Sequence, residues 1–422
     1  MVDSVPSTRI STISLSSFFC PARFFGLCNF FSPARAVNVH PPRIEVSRHP
    51  MVIDSIAEQY DTLVDRADWI NPYFSPEWMR SWWKRQKKDR APLVLLTYSA
   101  EGELLGYWPF VERPGLLGSK GLWPFVYDEA NYHFPTCVQS VAGPMVNALE
   151  GLIGSFLFVW LPQIPQTFWS AHLRESVGTG DKLTISRCAR SSCLVEPEKE
   201  QSFEEFWEDK MGPKSRKSFR YDERSLAERG KISWQTCDSL EEVRSVMPTT
   251  CLVEVASSKT LENAGLYSIR GKRGFFFELL PELAQSSRVR LSVLRVDDQP
   301  IAWQLELLVP GRSYLHHLAY DEEWKKYSPG KQLLKRSMEC CWKEGRVFDF
   351  LPAPFAYKER YATSSEPAHE LHWIHRSLRG RIARHLIRWN MKIRQKMRDR
   401  SPGLAAAVGR EVVSKANRRD LE

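Results

Sequence analysis

Two carboxylates stand inside segments that otherwise read as β-strands. Asp349 separates Phe348 from Phe350, and Glu306 lies within the apolar run of residues 301–309. Successive side chains of a strand point to opposite faces, so each carboxylate faces away from its apolar neighbours. Such a group beside a cleft can take a proton from an attacking amine or orient a neighbouring cation. The alternatives are a structural carboxylate bonded to backbone or arginine for Asp349, and a water-exposed strand face for Glu306.

The segment 327–332 has the residues of a helix start that could hold a phosphate. Ser328 suits the cap, Pro329 suits the first helical position, and Gly330 allows another backbone or a ligand to come close. Unpaired N–H groups and the positive end of the helix dipole attract anions at such a place. The other members of this predicted phosphate-binding segment are Tyr327, Lys331 and Gln332. An ordinary helix start is the alternative.

The strands around residues 291–319 supply further candidates for a cleft. His316 and His317 are consecutive in a predicted strand, so alternation puts them on opposite faces and one of them at most lines the cleft. A neutral imidazole can serve as a base near pH 7, and we take His316 as the candidate. Trp303 follows an acidic turn and is a second substrate-binding candidate. A structural role is the alternative for a strand histidine.

A polar helix predicted over residues 214–229 is rich in both basic and acidic residues. Its Arg216 and Arg220 are candidates to contact an anionic substrate, a nucleotide sugar or a tRNA. The alternative is a solvated helix whose charges pair at a spacing of four residues.

Composition gives 422 residues, 43% of them hydrophobic and 26% charged, which is typical of a globular protein. The net charge is +9, and residues 376–400, with ten basic residues and one acid, account for the whole excess. An apolar stripe flanked by arginines in that segment is typical of a helix on an anionic membrane surface. RNA binding and a helix that packs on the body are the alternatives.

The nine cysteines include no C-x-x-C pair. This pattern favours reduced thiols in a cytoplasmic protein, which is either free or held at the inner face of the membrane by its C-terminal helix. It argues against zinc-ribbon and thioredoxin-like sites, and we expect no metal.

The chain reads as two similar halves. A strand, an acidic turn and a second strand occur at residues 93–110 and again at 291–307. We expect a disordered extension at 1–42, α/β units at 43–200 and 201–375, and a basic amphipathic helix and tail at 376–422.

Four motifs in chain order resemble a known family: FSPEW (74–78), KSRKSFRYDERSLAERG (214–230), YSPGKQLL (327–334) and FDFLPAPFAYKERY (348–361). They are similar to the CelD/BcsL-type, or BioF-like, acetyltransferases of the GNAT superfamily, which are relatives of the Fem-type aminoacyl transferases. The resemblance implies an α/β fold of two tandem GNAT-like domains, each with a mixed, mainly antiparallel sheet flanked by helices. It also implies that Lys358 faces the substrate, where it could stabilise a developing oxyanion or bind an acidic acceptor. Its neighbour Tyr357 could protonate a leaving thiolate. A solvated Lys–Glu pair and a core tyrosine are the alternatives.

The function implied by the resemblance is transfer of an acyl group from acetyl-CoA or another acyl-CoA. The acceptor would be an amine or hydroxyl of a small molecule, a sugar or a lipid-linked precursor in cellulose, exopolysaccharide or envelope synthesis. Residues 326–331 contain one glycine where the usual GNAT phosphate loop has two. The alternatives are therefore a Fem-like transferase that uses aminoacyl-tRNA, and a non-catalytic scaffold of a polysaccharide synthase.

Overall fold

The computed structural model describes residues 41–86, 90–114, 118–175, 177, 182–261, 264–269, 272–353 and 356–400. In the first half the elements are β1 (Arg43–Ser47), α1 (Val52–Val64), α2 (Pro76–Trp83), β2 (Ala91–Tyr98), β3 (Leu104–Pro114), β4 (Lys120–Pro124), β5 (Thr136–Cys137), α3 (Gln139–Gly151), β6 (Phe158–Pro165), α4 (Gln166–Phe168) and β7 (Lys182–Val195). In the second half they are α5 (Phe203–Lys210), α6 (Pro213–Ala227), β8 (Ile232–Cys237), α7 (Leu240–Val255), α8 (Ser258–Leu261), α9 (Lys272–Gln285), β9 (Val289–Val296), β10 (Gln299–Val309), β11 (Arg312–Tyr320), α10 (Pro329–Lys343), β12 (Val347–Asp349), α11 (Ala356–Glu359), β13 (Ser364–His375) and α12 (Leu378–Arg400). Almost all of the predicted extension at 1–42, and residues 401–422 of the predicted tail, lie outside the described residues.

The first motif of the family resemblance is a helix start. Ser75 accepts a hydrogen bond from the backbone N–H of Trp78, and Pro76 takes the first helical position of α2. Both features are those that favour a helix N-terminus. The resulting helix buries Trp78 and Trp82 in the core.

The strands form one continuous sheet in the order β1-β2-β3-β4-β6-β13-β7-β12-β11-β10-β9-β8, and β5 pairs with β3. Most neighbours are antiparallel, whereas β4 with β6 and β11 with β12 are parallel. The predicted fold class, a tandem α/β arrangement with a mixed, mainly antiparallel sheet flanked by helices, is confirmed.

The last strand of each half pairs with strands of the other half. β7, which ends the first half, pairs with β12 of the second half, and β13 pairs with both β6 and β7. The predicted boundary between residues 200 and 201 divides the sequence, and it stays a prediction as a division between structural units.

One hydrophobic core spans both halves. The Trp78 ring lies 5.9 Å from Phe275 and 6.2 Å from Phe276, both in α9. The guanidinium of Arg288 pairs with the carboxylates of Glu77 and Asp61. The first half therefore packs directly against the second half.

Candidate active site

The strands β11 and β12 separate after a short parallel contact. Their pairing begins with Arg312 opposite Val347 and ends with Tyr314 opposite Asp349. β12 stops there, whereas β11 continues to Tyr320. Among the described residues, the rest of β11 has no strand neighbour on this edge. An unpaired strand edge offers backbone N–H and C=O groups to a ligand.

A β-bulge lies in β11 beside this opening. The register puts Leu305 opposite His317 and Glu306 opposite Leu315, so His316 has no residue opposite it on β10. A bulge breaks the alternation of side chains and redirects them. The expectation that the two histidines point to opposite faces is wrong, because it assumed an unbroken strand.

Both imidazoles pack toward the layer formed by α7 and α9. Nδ1 of His316 lies 3.2 Å from the hydroxyl of Tyr73, and its ring lies 5.8 Å from Phe276. Nε2 of His317 lies 2.9 Å from a carboxylate oxygen of Glu254. Burial lowers the pKa of His316 to about 3 and also lowers the pKa of His317. His316 is therefore neutral at physiological pH.

The start of α10 faces the opening with few free backbone donors. Ser328 adopts a left-handed conformation with φ of 52°, and its side chain makes no cap bond. Its carbonyl accepts the N–H groups of Lys331 and Gln332 at 3.0 and 3.3 Å, and Pro329 has no N–H. Among the contacts of the described residues, the N–H of Gly330 is the one backbone donor of the first turn that has no acceptor within the protein. The expected side-chain cap by Ser328 is wrong, since its hydroxyl accepts from Lys331 Nζ at 3.2 Å instead.

The glycine of this turn packs closely against β11. A Cβ on Gly330 would lie 3.0 Å from the Tyr320 ring and 3.1 Å from Leu318, both on β11. Gln332 is buried, and its side-chain amide donates to the carbonyl of Tyr327 at 3.0 Å. Of the predicted phosphate-binding residues, Gln332 and Tyr327 therefore shape the turn and do not point out of it.

Three cations surround the start of α10. Arg229, at the end of the α6 segment, hydrogen-bonds through Nε to the hydroxyl of Tyr327. The cations of Arg229 and Lys326 lie 5.5 and 4.9 Å from the centre of the Tyr327 ring. With Lys331 they form what we call the basic rim (Arg229, Lys326 and Lys331). A pyrophosphate at the positive end of the helix would meet this charge.

The matching helix in the first half is capped by the protein itself. α3 lies between β4 and β6 in the sequence, as α10 lies between β11 and β12. The backbone N–H of Gln139, the first residue of α3, donates to the carboxylate of Asp68 at 2.6 Å. A negative side chain therefore occupies the place where an anionic ligand would bind.

Asp349 is tied into the junction of the two halves. Its buried carboxylate accepts the N–H of Leu351 at 2.7 Å and the hydroxyl of Tyr132 at 3.1 Å. The hydroxyl of Ser192 and the guanidinium of Arg312 (3.4 Å) complete the set. Burial raises the pKa of Asp349, and Arg312 and the hydrogen bonds oppose that rise. These partners suit an orienting carboxylate better than a mobile base.

Lys358 is buried, whereas its neighbour Tyr357 is exposed. Nζ of Lys358 donates to the backbone carbonyls of Phe350 and Leu351 at 2.6 and 3.3 Å, and the side chain is 5% exposed. Burial lowers the pKa of Lys358 to about 8. Tyr357 is 42% exposed, and its partial burial raises its pKa to about 12. The ammonium thus secures the segment after β12, where Leu351 has a left-handed φ of 60°.

Glu306 and Trp303 lie inside the second half. Glu306 accepts from the Gln304 amide at 3.0 Å and from the Ser313 hydroxyl, and it faces Cys341 of α10. Burial raises the pKa of Glu306. The carboxylate therefore faces neither water nor the opening, because α10 covers this face of β10.

The aromatic substrate candidate is a core residue. Trp303 is buried, with Tyr267 stacked 5.5 Å away and His317 at 5.1 Å. It packs against His317 within the core.

The two arginine candidates lie on α6, away from the β11–β12 edge. Arg216 pairs with Glu208 at 3.2 Å, and Arg220 is exposed. α6 touches α10, since Lys335 of α10 lies 5.2 Å from the ring of Phe219. Neither arginine is part of the basic rim.

Sequence reasoning missed the contribution of the first half. Tyr73 and Tyr132 reach His316 and Asp349 across more than 200 positions of sequence. It also missed Glu254, which pairs with His317; an acid in the apolar run CLVEV was the available signal.

Residues 213–359 match the model of an acetyltransferase (GNAT) domain. The match runs from the first residue of α6 to the residue after Lys358 and so contains the whole opening. A comparison with curated proteins gave no match.

Two solved structures show the same fold. The crystal structure of FemX covers 75% of this chain and 95% of its own, with a TM-score of 0.52 and 10% identity. The C-terminal domain of a protein described as a lysylphosphatidylglycerol synthetase, from Agrobacterium fabrum, covers 76% of this chain and 92% of its own, with a TM-score of 0.50 and 12% identity. The expected relation to Fem-type proteins is confirmed at the level of the fold.

In the part of the chain that the structure describes, no helix is both long and apolar enough to cross a bilayer. Within the same residues, no set of three or more histidine, cysteine or acidic side chains is placed to hold a metal ion. The domain match, with the fold, supports an acyltransferase activity for the second half of the chain.

Proposed function

We propose that this protein transfers an acyl group from acetyl-CoA or another acyl-CoA to an amine or hydroxyl. The acceptor class we favour is a sugar, a lipid or an envelope or exopolysaccharide precursor, as the resemblance to CelD/BcsL-type proteins implies. The observation that carries the proposal is the β11–β12 opening. It faces a helix start that holds no protein carboxylate in the described contacts and that is surrounded by the basic rim.

The residues at the opening fit the chemistry of a CoA donor in part. The basic rim and the N–H of Gly330 would hold the pyrophosphate, and the unpaired edge of β11 would pair with the amide groups of the pantetheine arm. Only one first-turn N–H remains for the phosphates among the described contacts. Charge on the rim therefore supplies more of the binding than backbone donors do.

The reaction needs no covalent enzyme intermediate. The acceptor nitrogen or oxygen attacks the thioester carbonyl, the new C–N or C–O bond forms, and the C–S bond breaks. Backbone N–H groups at the β11 edge polarise the carbonyl. Tyr357, whose phenol is protonated at neutral pH, gives its proton to the departing thiolate. The proton of the acceptor leaves to water or to a nearby base.

The remaining candidates have positioning roles. Asp349 and Lys358 fix the end of β12 through bonds to Leu351 from both sides. We assign acceptor contact to His316, the neutral residue at the bulge of β11. Glu306 is left out of this mechanism, because α10 encloses it.

A thermal-shift titration of the full chain tests the proposal. Acetyl-CoA, longer acyl-CoAs and desulfo-CoA should each raise the melting temperature with saturation, since a ligand of the folded state stabilises it by mass action. Replacing Arg229 and Lys326 by glutamine should weaken this binding at least tenfold. The matched control is Arg244→Gln, which removes an exposed cation on α7. No shift with any CoA at millimolar concentration would overturn the donor assignment.

A second candidate is a Fem-like transferase that uses aminoacyl-tRNA. The exposed cations of α6, including Arg220, lie beside α10 and would suit a phosphate backbone. This candidate predicts a salt-dependent tRNA complex and no thermal shift with CoA. Binding of acyl-CoA without turnover on any amine or hydroxyl acceptor would instead indicate a scaffold.

A further inference from the structure

The C-terminal helix α12 is fixed to the body along one face. Ala383, Ile387 and Met391 recur every fourth residue and pack with Ile374 of β13 and Phe158 of β6. Ala383 is completely buried. A spacing of four keeps side chains on one side of a helix. The orientation of α12 about its own axis is thereby set.

This docking turns a second apolar face outward. Leu378, Ile382, Leu386 and Trp389 are 74%, 44%, 41% and 64% exposed. We call these four side chains the outer ridge. Their spacing of three and four residues aligns them along the helix, opposite the docked face. A line of large apolar side chains in water marks an interaction surface.

A basic flank lies beside the outer ridge. Arg381, Arg388 and Lys392 are exposed and share one side of the helix by their spacing. Residues 376–396 contain eight arginines and lysines and no acid. An apolar ridge with a basic flank is complementary to a surface that has negative charges on the outside and an apolar layer beneath them.

We propose that α12 binds the surface of an anionic lipid bilayer, with the outer ridge in the boundary between headgroups and acyl chains and the basic flank on the lipid phosphates. Like charges would oppose a second copy of this helix at the same ridge, and an RNA would not use the apolar side chains. This inference does not depend on the acyl-transfer proposal.

Sedimentation with vesicles tests the inference on the full chain. Vesicles of phosphatidylcholine with phosphatidylglycerol should bind the protein at least tenfold more strongly than phosphatidylcholine alone. The excess should disappear at about 1 M salt, where charges are screened. Arg381→Gln with Arg388→Gln should reduce partition about 25-fold, because each cation near such a surface contributes about 1 kcal/mol.

The apolar part is tested by Leu386→Ser with Trp389→Ser, which should lower partition about tenfold or more. The matched control is Leu252→Ser with Val255→Ser, which removes two side chains of α7 that are 68% and 62% exposed. Partition of this control should stay within twofold of wild type. All variants should melt as the wild type does, since the altered side chains are exposed.

Three results would overturn the inference. The first is equal binding to neutral and anionic vesicles. The second is self-association without lipid that the Leu386→Ser, Trp389→Ser variant abolishes, which would make the ridge a contact between copies. The third is RNA binding that the two arginine substitutions abolish while vesicle binding is absent.

Discussion

Each half of the molecule has a helix between two parallel strands, α3 in the first half and α10 in the second. The first turns of these two helices have different surroundings. In the first half the carboxylate of Asp68 accepts the N–H of Gln139 at the start of α3. In the second half the start of α10 has the cations of Arg229 and Lys326 beside it. A helix start that already holds a carboxylate repels a phosphate, and one surrounded by cations attracts it. This difference supports our proposal that the donor site lies in the second half.

The strand pairs beside the two helices differ in the same sense. In the first half, Phe158 of β6 packs directly over Gly121 of β4, where a Cβ would lie 2.5 Å from the ring. In the second half, the pairing of β11 with β12 ends at Asp349, whose buried carboxylate is bonded to Tyr132 of the first half. The first pair is thus apolar at its contact, and the second ends in a polar network.

The largest effect is expected on the stability of the folded chain when Asp349 of the second half is replaced. Asp349→Ala leaves the N–H of Leu351, the hydroxyls of Tyr132 and Ser192, and the guanidinium of Arg312 without their carboxylate. We expect the free energy of unfolding in urea to fall by about 3–5 kcal/mol. Asp349→Asn keeps an acceptor and should lose less. A loss below about 1 kcal/mol for the alanine variant would contradict the role of this network.

A second prediction concerns the pH dependence at Lys358. Its pKa is about 8 in the folded chain against an ordinary 10.5, so between these values the unfolded state binds the extra proton. Stability should therefore rise with pH across this window, by up to about 3 kcal/mol, relative to Lys358→Met. Below pH 8 both states are protonated and the difference should be constant.

The control for this titration is Lys358→Arg, which keeps a cation and cannot lose its proton in this range. Urea unfolding at a series of pH values should show the slope for the wild type and not for the arginine variant. A wild-type curve parallel to that of Lys358→Met would show that the ammonium is not desolvated as described.

A third prediction compares two helix glycines. Gly330→Ala should destabilise the protein by about 1–3 kcal/mol, because its Cβ would lie 3.0 Å from the Tyr320 ring. Gly143 of α3 has no atom within 4 Å of an added Cβ, so Gly143→Ala should stabilise by about 0.5–1 kcal/mol. Thermal melting of both variants measures the contrast, and equal shifts of the same sign would break it.

The smallest effect is expected at the first-half cap. Asp68→Asn removes the charge at the start of α3 and should cost about 0.3–1 kcal/mol. Because the proposed donor site lies in the other half, the affinity for acyl-CoA should not change. Tighter acyl-CoA binding by Asp68→Asn would show that α3 also takes a phosphate.

Local rules predicted the elements better than the site. Ser75 and Pro76 start α2 as their types require, and the motif YSPGKQLL does begin a helix. The bulge at His316 depends on how β11 pairs with β10, which no local pattern shows. The depth of Glu306 likewise depends on where α10 packs.

The contacts between the halves could not be predicted from the sequence for a related reason. Tyr132 meets Asp349 because the pairing of last strands between the halves brings distant segments together. Lys358 was expected to face a substrate and instead donates to backbone carbonyls, since the turn after β12 leaves those acceptors buried.

The most direct test of the central claim gives α10 the carboxylate that α3 already has. Ser328→Asp places a negative charge at the helix start, where its left-handed φ of 52° tolerates aspartate and asparagine. Calorimetric titration with acetyl-CoA should show binding to the wild type and to the neutral control Ser328→Asn, and a loss of at least tenfold for Ser328→Asp at unchanged melting temperature. Equal affinity of all three proteins for acetyl-CoA would contradict a donor site at α10.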